Sequence, residues 1–340
     1  MKRRTFLKSL ATVLGLATLP PWLRESAGKP DTLGTSLPRR ALGHTGESIT
    51  LVGLGGFHIG WTTETLAQAT IEAALEEGVR FFDTAESYGK EQSEERYGKY
   101  LVPRYRAHIF LMTKTLAKDA KTAELHLEES LRRLRTDRLD LWQIHALASP
   151  DDVDDRIRNG VVEFALKAQA QGKVRHLGFT GHADPYAHLR MLERFPNVFA
   201  TAQMPVNPVD FSSRFSFIKL VLPKLVDAGL APLAMKSLAD GRFLPKKVVM
   251  EKVTWETSDP IVPDQLTLEE VTQFVLSLPV STLIVGAEKP QFLREKVAFA
   301  RHLHTLDAAG RARLAAKVSR FAEVKEIEYY KSRRLPGKAG

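Results

Sequence analysis

Residues 79–89 read VRFFDTAESYG, and this stretch decides the fold because it joins a short apolar run to a polar loop. Two similar stretches follow, HIFLMTKT at residues 108–115 and LDLWQIHAL at residues 139–147. Each is rich in Phe, Ile, Leu or Val, and a helical pattern comes after it. Short apolar strands that alternate with helices are typical of a parallel sheet covered by helices. The pattern therefore predicts an α/β fold.

The same alternation continues along the chain, without a Pro-, Gly- or Ser-rich linker. The predicted strands cover residues 49–53, 79–83, 109–114, 139–145, 174–180, 200–205, 230–236 and 282–286. A chain of 340 residues has room for one large barrel or two modest domains, and the missing linker favours one. We therefore predict a single-domain (β/α)8 TIM barrel with an extra C-terminal helix. That helix is expected at residues 308–331, within a C-terminal helix and basic tail at residues 306–340. A long loop is predicted at residues 242–263.

Four polar side chains, Asp83, Tyr88, Lys114 and His145, lie at or after the ends of the apolar runs in these stretches. In a barrel of this kind the strand ends and loops at the C-terminal face build the site, so neighbouring strands would bring these groups together. An ammonium near Tyr88 would lower the pKa of its phenol and make it a better proton donor. Asp83 would orient Lys114, and His145 would hydrogen-bond a substrate carbonyl. None of the four supplies a hydride, so a reduction would need a nicotinamide cofactor.

The stretches FFDTAESYG, MTKT and DLWQIH, with LVGLGGF at residues 51–57, resemble the aldo/keto reductases in their order and spacing. The resemblance implies a (β/α)8 barrel, which we place at residues 37–305. It also implies NAD(P)H-dependent reduction of an aldehyde or ketone, a sugar among the candidates, so that the partner is a small-molecule carbonyl. In this family pattern Asp83, Tyr88, Lys114 and His145 form the catalytic tetrad, with Tyr88 as the general acid.

The resemblance further implies a set of cofactor-binding residues. Thr180 and Gln203 match residues that bind the nicotinamide amide, and Met235 stands where the family commonly stacks a tyrosine on the nicotinamide ring. The full expected set is Gly56, Phe57, Thr180, Gln203, Met235, Lys236, Ser237, Gly286, Lys289 and Glu295. Lys289 favours NADPH. NADH is the alternative, because Glu288 would repel a 2′-phosphate that it faced.

The first 28 residues have the pattern of an export signal. Arg3 and Arg4 belong to a basic start, and the apolar stretch that follows at residues 9–19 is too short to span a bilayer. The paired arginines resemble a twin-arginine signal, which is read by machinery that moves folded proteins. The pattern predicts export to the periplasm with the twin-arginine machinery as a partner. An uncleaved signal would instead leave the protein anchored to the membrane.

Composition excludes several classes of function. The net charge is +9, but residues 1–28 and 331–340 contribute +4 each, so no nucleic-acid groove is predicted. The absence of cysteine excludes disulfides, thiolate catalysis and Cys-ligated metals. His176, His182 and His188 are spaced by six residues and fit no metal-binding helix motif, so no metal site is predicted. The sequence does not decide the oligomeric state.

Two other functions stay open at this level. The unusual residues near Thr180 and at Met235 are compatible with a non-catalytic barrel that binds or senses a dinucleotide. A barrel enzyme that acts on sugars without net redox change would use the same acid–base pair.

Overall fold

The computed structural model describes residues 23–243, 249–250, 253–254, 265–324 and 327–331. The predicted export signal lies outside this part of the chain except for residues 23–28. Most of the predicted loop at residues 242–263 and the basic tail at residues 332–340 also lie outside it. None of the described helices is long and apolar enough to cross a bilayer.

Eight parallel strands close into a barrel, which confirms the predicted (β/α)8 fold. They are β1 (Val52–Gly55), β2 (Phe81–Asp83), β3 (Phe110–Thr115), β4 (Leu139–Ile144), β5 (Val174–Thr180), β6 (Thr201–Pro205), β7 (Ala231–Met235) and β8 (Thr282–Val285). Each strand pairs with the next in the chain, and β8 pairs with β1, so the barrel sheet has no free edge. Every residue of β3 and β4 is buried, because the barrel interior lies on one side and helices on the other.

An outer layer of helices covers the strands. The described helices are α1 (Gly56–Trp61), α2 (Glu64–Glu76), α3 (Gln92–Tyr100), α4 (Val102–Tyr105), α5 (Ala120–Leu134), α6 (Pro150–Arg158), α7 (Val161–Ala170), α8 (Pro185–Arg194), α9 (Phe217–Leu220), α10 (Leu222–Asp227), α11 (Leu268–Leu276), α12 (Pro290–Arg301) and α13 (Ala308–Val318). Local sequence signals fix several ends. Thr267 and Glu270 form a capping box at the start of α11, which satisfies backbone N–H groups there. Gly78 follows α2 with a φ of 80°, a conformation that glycine adopts without strain.

The predicted first strand, residues 49–53, is divided between two elements in the structure. Ser48–Thr50 pairs antiparallel with Arg39–Ala41 in a hairpin, and β1 begins only at Val52. Ile49 of the hairpin packs in one cluster with Phe81 and other side chains from the barrel strands. The prediction was wrong here because one continuous apolar run spans both elements, so hydrophobicity alone does not show where the chain turns.

The C-terminal helix is also shorter than predicted. The expected helix at residues 308–331 ends at Val318, and a 3-10 turn follows over Ser319–Phe321. Residues 327–331 then pack at the carboxyl ends of the barrel strands, where Lys331 pairs with Asp210 at 2.5 Å. Tertiary contacts of this buried lysine replace the continued helix, and local sequence preference does not reveal them.

A buried arginine joins the N-terminal hairpin to the other end of the chain. The Arg40 side chain is fully buried, and its guanidinium donates to the carbonyls of Leu276 and Val280, both at 2.8 Å. It also pairs with Glu25 at 2.6 Å. Leu276 is the last residue of α11, so Arg40 satisfies a carbonyl that has no partner within the helix.

We expect Arg40→Met to lower the free energy of unfolding by about 3 kcal/mol, because buried carbonyls and Glu25 lose their partner. Urea unfolding followed by circular dichroism measures this change. Arg158→Met is the matched control, since Arg158 forms an ion pair with Asp155 on the exposed surface of α6 and should cost less than about 1 kcal/mol. Equal losses in the two variants would contradict the role given to Arg40.

Candidate active site

The ammonium of Lys114 lies at the centre of the candidate active site and is almost fully buried. Its Nζ is 2.6 Å from Asp83 Oδ1, donates to the carbonyl of Thr84 at 2.7 Å and donates to the Tyr88 hydroxyl at 3.2 Å. These partners match the three N–H groups of an ammonium. The Tyr88 oxygen therefore accepts a hydrogen bond from Lys114, and no described residue receives the Tyr88 proton. That proton is available to a ligand.

Parallel pairing of the strands brings these groups together. Asp83, at the end of β2, is in register with Met112 of β3, two residues before Lys114. Gly56, at the start of α1, packs directly against the backbone of Asp83. A Cβ atom at Gly56 would lie 2.6 Å from the carbonyl oxygen of Asp83, so only glycine fits at this contact. The Phe57 ring packs edge-on against Tyr88, with 5.5 Å between the ring centroids.

The pKa of Tyr88 differs in direction from the sequence-based expectation. Burial raises the pKa of the phenol, and the charge of Lys114 offsets only part of that effect. The expectation of a lowered pKa was therefore wrong, because it counted the neighbouring ammonium and omitted desolvation. The Tyr88 phenol is therefore neutral at neutral pH. For Lys114, burial lowers the pKa, but Asp83 and Tyr88 more than compensate, so the ammonium stays charged.

His145 follows β4 and completes the cluster predicted from the sequence. Its ring lies edge-on to Tyr88 with 5.8 Å between centroids. Burial, followed by the charges of Lys114, His182 and other nearby bases, holds the pKa of His145 well below its usual range. The imidazole is therefore neutral at neutral pH, and its Nδ1 has no hydrogen-bond partner among the described residues. A neutral imidazole beside the Tyr88 hydroxyl can donate one hydrogen bond to a carbonyl oxygen.

Thr180, Gln203 and Met235 lie side by side on β5, β6 and β7. Gln203 is in register with Thr180, and its Nε2 lies 3.5 Å from the Met235 sulfur. The Thr180 hydroxyl and the Gln203 Oε1 are buried and have no hydrogen-bond partner within the described ranges. Buried polar atoms are normally paired, so an unpaired hydroxyl beside an unpaired amide oxygen fits a ligand such as a carboxamide.

Two acid–base pairs lie near β7 and β8, where the resemblance places the cofactor phosphates. Lys236 Nζ lies 3.3 Å from Asp240, and His58 Nε2 lies 3.2 Å from Glu288. A Cβ atom at Gly286 would lie 2.2 Å from the His58 ring, so glycine lets this ring approach the loop after β8. Sequence reasoning did not identify His58 or Asp240 as parts of this site. His58 and Glu288 are distant along the chain, whereas Asp240 pairs with Lys236 four residues before it.

The remaining predicted cofactor residues lie farther from the buried cluster. Lys289 is exposed just before α12, Glu295 is exposed within α12, and Ser237 is partly exposed after β7. Lys296 on α12 donates a hydrogen bond to the carbonyl of Gly286 at 2.6 Å. The structure therefore separates the predicted set into a buried group at the strand ends and an exposed group on α12.

Residues 327–331 cover the carboxyl ends of β5, β6 and β7, which the sequence did not predict. The Tyr330 ring packs edge-on against His182, and Lys236 Nζ lies 4.9 Å from the centroid of the same ring. Glu328 accepts hydrogen bonds from Asn207 and from Tyr330. The Tyr330 ring therefore lies close to His182, which follows β5, and to Lys236, which follows β7.

Comparison with known proteins identifies the family. The model of the aldo/keto reductase family matches residues 51–317, and the chain belongs to this family of oxidoreductases. A 6-dehydroglucose reductase from Novosphingobium aromaticivorans is 29% identical over 247 residues, covering 66% of this chain and 77% of the relative. An L-galactose dehydrogenase from Arabidopsis thaliana is 29% identical over 226 residues, covering 61% of this chain and 67% of the relative.

Solved structures show the same fold. An aldo-keto reductase from Bacillus halodurans in its holo form superposes with a TM-score of 0.67 at 21% identity, covering 82% of this chain and 95% of that one. A glycerol dehydrogenase from Gluconobacter oxydans gives a TM-score of 0.65 at 21% identity, covering 89% of this chain and 99% of that one. At this identity the similarity supports the fold alone.

We expect the pair of Glu288 with His58 to stabilise the protein above the acid range. Burial opposes ionisation of Glu288, but His58 outweighs burial and lowers the pKa of the carboxyl to about 2. A carboxyl with a lowered folded pKa adds stability above its unfolded pKa and loses it as the pH falls toward the folded value. Glu288→Gln should therefore cost about 2 kcal/mol at about pH 6 and roughly half of that at about pH 3.

Urea unfolding at both pH values measures this difference. Glu128→Gln is the control, because Glu128 forms an exposed ion pair with Lys173 and should change the unfolding free energy little at either pH. A Glu288→Gln effect that is the same at both pH values would show that ionisation of Glu288 is not responsible.

Proposed function

We propose that this enzyme reduces an aldehyde or ketone with a hydride from NAD(P)H, and that Tyr88 is the general acid. The contact that carries the proposal is the hydrogen bond from Lys114 Nζ to the Tyr88 oxygen at 3.2 Å. Because Tyr88 accepts from the ammonium, its own proton is directed to another acceptor. Lys114 also stabilises the phenolate that remains after proton transfer, and Asp83 keeps Lys114 charged.

Tyr88 and His145 both act on the substrate oxygen in this proposal. Tyr88 donates its proton to the substrate oxygen as the carbonyl becomes an alcohol. The neutral His145 donates a hydrogen bond to the same oxygen and thereby orients it. When bound, the nicotinamide cofactor supplies the hydride that adds to the carbonyl carbon. In the reverse direction Tyr88 would act as the base, because the same proton returns to it.

The unpaired buried atoms support dinucleotide binding. The Thr180 hydroxyl and the Gln203 amide oxygen would bind the carboxamide of the nicotinamide, and Met235 would pack against its ring. Lys236 would meet the diphosphate. NADPH is the proposed cofactor, with NADH as the alternative. The pair of Glu288 with His58 supports NADPH, because a paired carboxylate repels a 2′-phosphate less than a free one.

The named activities of two relatives support a sugar-like substrate. One relative is a 6-dehydroglucose reductase and the other an L-galactose dehydrogenase, and both names refer to sugars. A carbonyl compound with several hydroxyl groups is therefore the substrate class that we propose to test first.

We expect Tyr88→Phe to lower kcat by about 100-fold or more, because the proton donor is lost. Oxidation of NADPH in the presence of a generic aldehyde or a keto sugar measures the rate. The Kd for NADPH and for NADH, measured by intrinsic fluorescence, should stay near that of the unsubstituted protein. Tyr100→Phe is the control, since Tyr100 hydrogen-bonds Glu64 on the exposed surface.

Unchanged turnover in Tyr88→Phe would overturn the assignment of the acid. Tight binding of a dinucleotide without turnover across a broad carbonyl panel would instead favour the non-catalytic sensing barrel. Product formation without any change in nicotinamide absorbance would favour the sugar-acting enzyme without net redox change.

Export to the periplasm by the twin-arginine machinery is also part of the proposal, on the pattern of residues 1–28 alone. Arg3→Lys with Arg4→Lys keeps the charge but removes the paired arginines, so the protein should stay in the cytoplasm. Cell fractionation and immunoblotting measure the distribution, and Lys2→Arg serves as the control. An unchanged periplasmic fraction in the double variant would exclude a twin-arginine route. If the exported protein keeps its full mass and sediments with membranes, its signal is an uncleaved anchor.

A further inference from the structure

Glu86 lies in the loop between Asp83 and Tyr88 and is buried although it can carry a charge. Its Oε1 accepts a hydrogen bond from the backbone N–H of Leu116 at 2.6 Å and lies 3.3 Å from His126 Nδ1. A buried carboxylate is costly unless it is paired and hydrogen-bonded. These two contacts therefore define where the side chain of Glu86 lies.

The hydrogen bond between Glu86 and the Leu116 N–H connects the two segments that carry Tyr88 and Lys114. Glu86 is two residues before Tyr88, and Leu116 is two residues after Lys114. The hydrogen bond between a carboxylate and a backbone N–H is among the stronger kinds in proteins. It thus ties the loop that carries Tyr88 to the end of the strand that carries Lys114.

His126 of α5 holds the same carboxylate from the helix layer. Its Nδ1 also lies 3.0 Å from the Thr115 hydroxyl, and Thr115 is the neighbour of Lys114. The contact with Glu86 raises the pKa of His126, which favours the charged pair. The carboxylate of Glu86 is therefore bound between the loop after β2, the end of β3 and α5.

We propose that Glu86 is a positioning residue that sets the distance between the Tyr88 hydroxyl and the Lys114 ammonium. The proposal rests on the proposed function of Tyr88. Glu86 contacts neither the Tyr88 hydroxyl nor Lys114 in the described contacts, so it acts through the backbone of the loop and of β3. A displacement of about 1 Å at a reacting group can reduce turnover by roughly 100-fold, so a hydrogen bond at this place has consequences for the rate.

Glu86 also acts on Tyr88 through its charge. Lys114 and His145 contact Tyr88, and Asp83 and Glu86 act on it through their charges. Burial raises the pKa of Tyr88, and the charges of Asp83 and Glu86 add to that rise. Loss of the Glu86 charge should therefore lower the pKa of Tyr88, whereas loss of its hydrogen bond should disturb the position of Tyr88.

Two substitutions separate these effects. Glu86→Ala removes both the charge and the acceptor, and we expect kcat to fall by about tenfold or more with an unchanged Kd for NADPH. Glu86→Gln removes the charge but keeps an oxygen that accepts from the Leu116 N–H, so kcat should stay within about threefold. In both variants the pKa of Tyr88 should be lower. Tyrosinate absorbance, with Tyr88→Phe as the blank for the other tyrosines, measures that pKa.

Asp140→Asn is the matched control. Asp140 is also a buried carboxylate that accepts from a backbone N–H of β3, that of Leu111 at 2.8 Å, but at the opposite end of the strand. This variant should lower the melting temperature and leave kcat and the pKa of Tyr88 unchanged. Melting temperatures of all variants show whether each protein is folded.

Equal losses of kcat in Glu86→Ala and Glu86→Gln, or a loss of the same size in Asp140→Asn, would overturn the positioning role. Unchanged turnover in Tyr88→Phe would instead mean that the proposed function fails. In that case the pKa of Tyr88 still tests whether Glu86 acts on this residue. An unchanged pKa of Tyr88 in Glu86→Ala would overturn the proposed effect of Glu86 on Tyr88.

Discussion

The buried ammonium of Lys114 is the constraint on which the rest of the site depends. A buried charge persists only when partners surround it, and Lys114 has Asp83, the carbonyl of Thr84 and the Tyr88 hydroxyl. Because all of these groups are needed at once, the ends of β2 and β3 must be in fixed register. The parallel barrel supplies that register, and the Tyr88 proton is left for a ligand as a consequence.

The outer part of the site is different, since its acidic and basic side chains lie in pairs. Lys236 faces Asp240, and His58 faces Glu288. An anionic ligand would have to compete with these carboxylates for the bases. The buried centre therefore has its partners in place without a ligand, whereas an anionic ligand at the outer pairs would displace existing contacts.

Sequence patterns predicted the barrel and the four polar side chains that meet at its strand ends, because both depend on short-range features. Alternating apolar runs indicate the strands, and Asp83, Tyr88, Lys114 and His145 stand directly at or after strand ends. The break at Leu51 was missed because the apolar run continues through it. The end of α13 was missed because distant residues decide it.

The sequence by itself determined the order of strands and helices and the kinds of side chain at their ends, since periodicity and residue type are local properties. Tertiary structure alone decided the raised pKa of Tyr88, because desolvation depends on everything packed around the ring. It also decided which distant groups each carboxylate meets, as when Glu86 accepts a hydrogen bond from the backbone N–H of Leu116. Such pairs join loops whose distance in space is set by barrel closure and cannot be obtained from spacing along the chain.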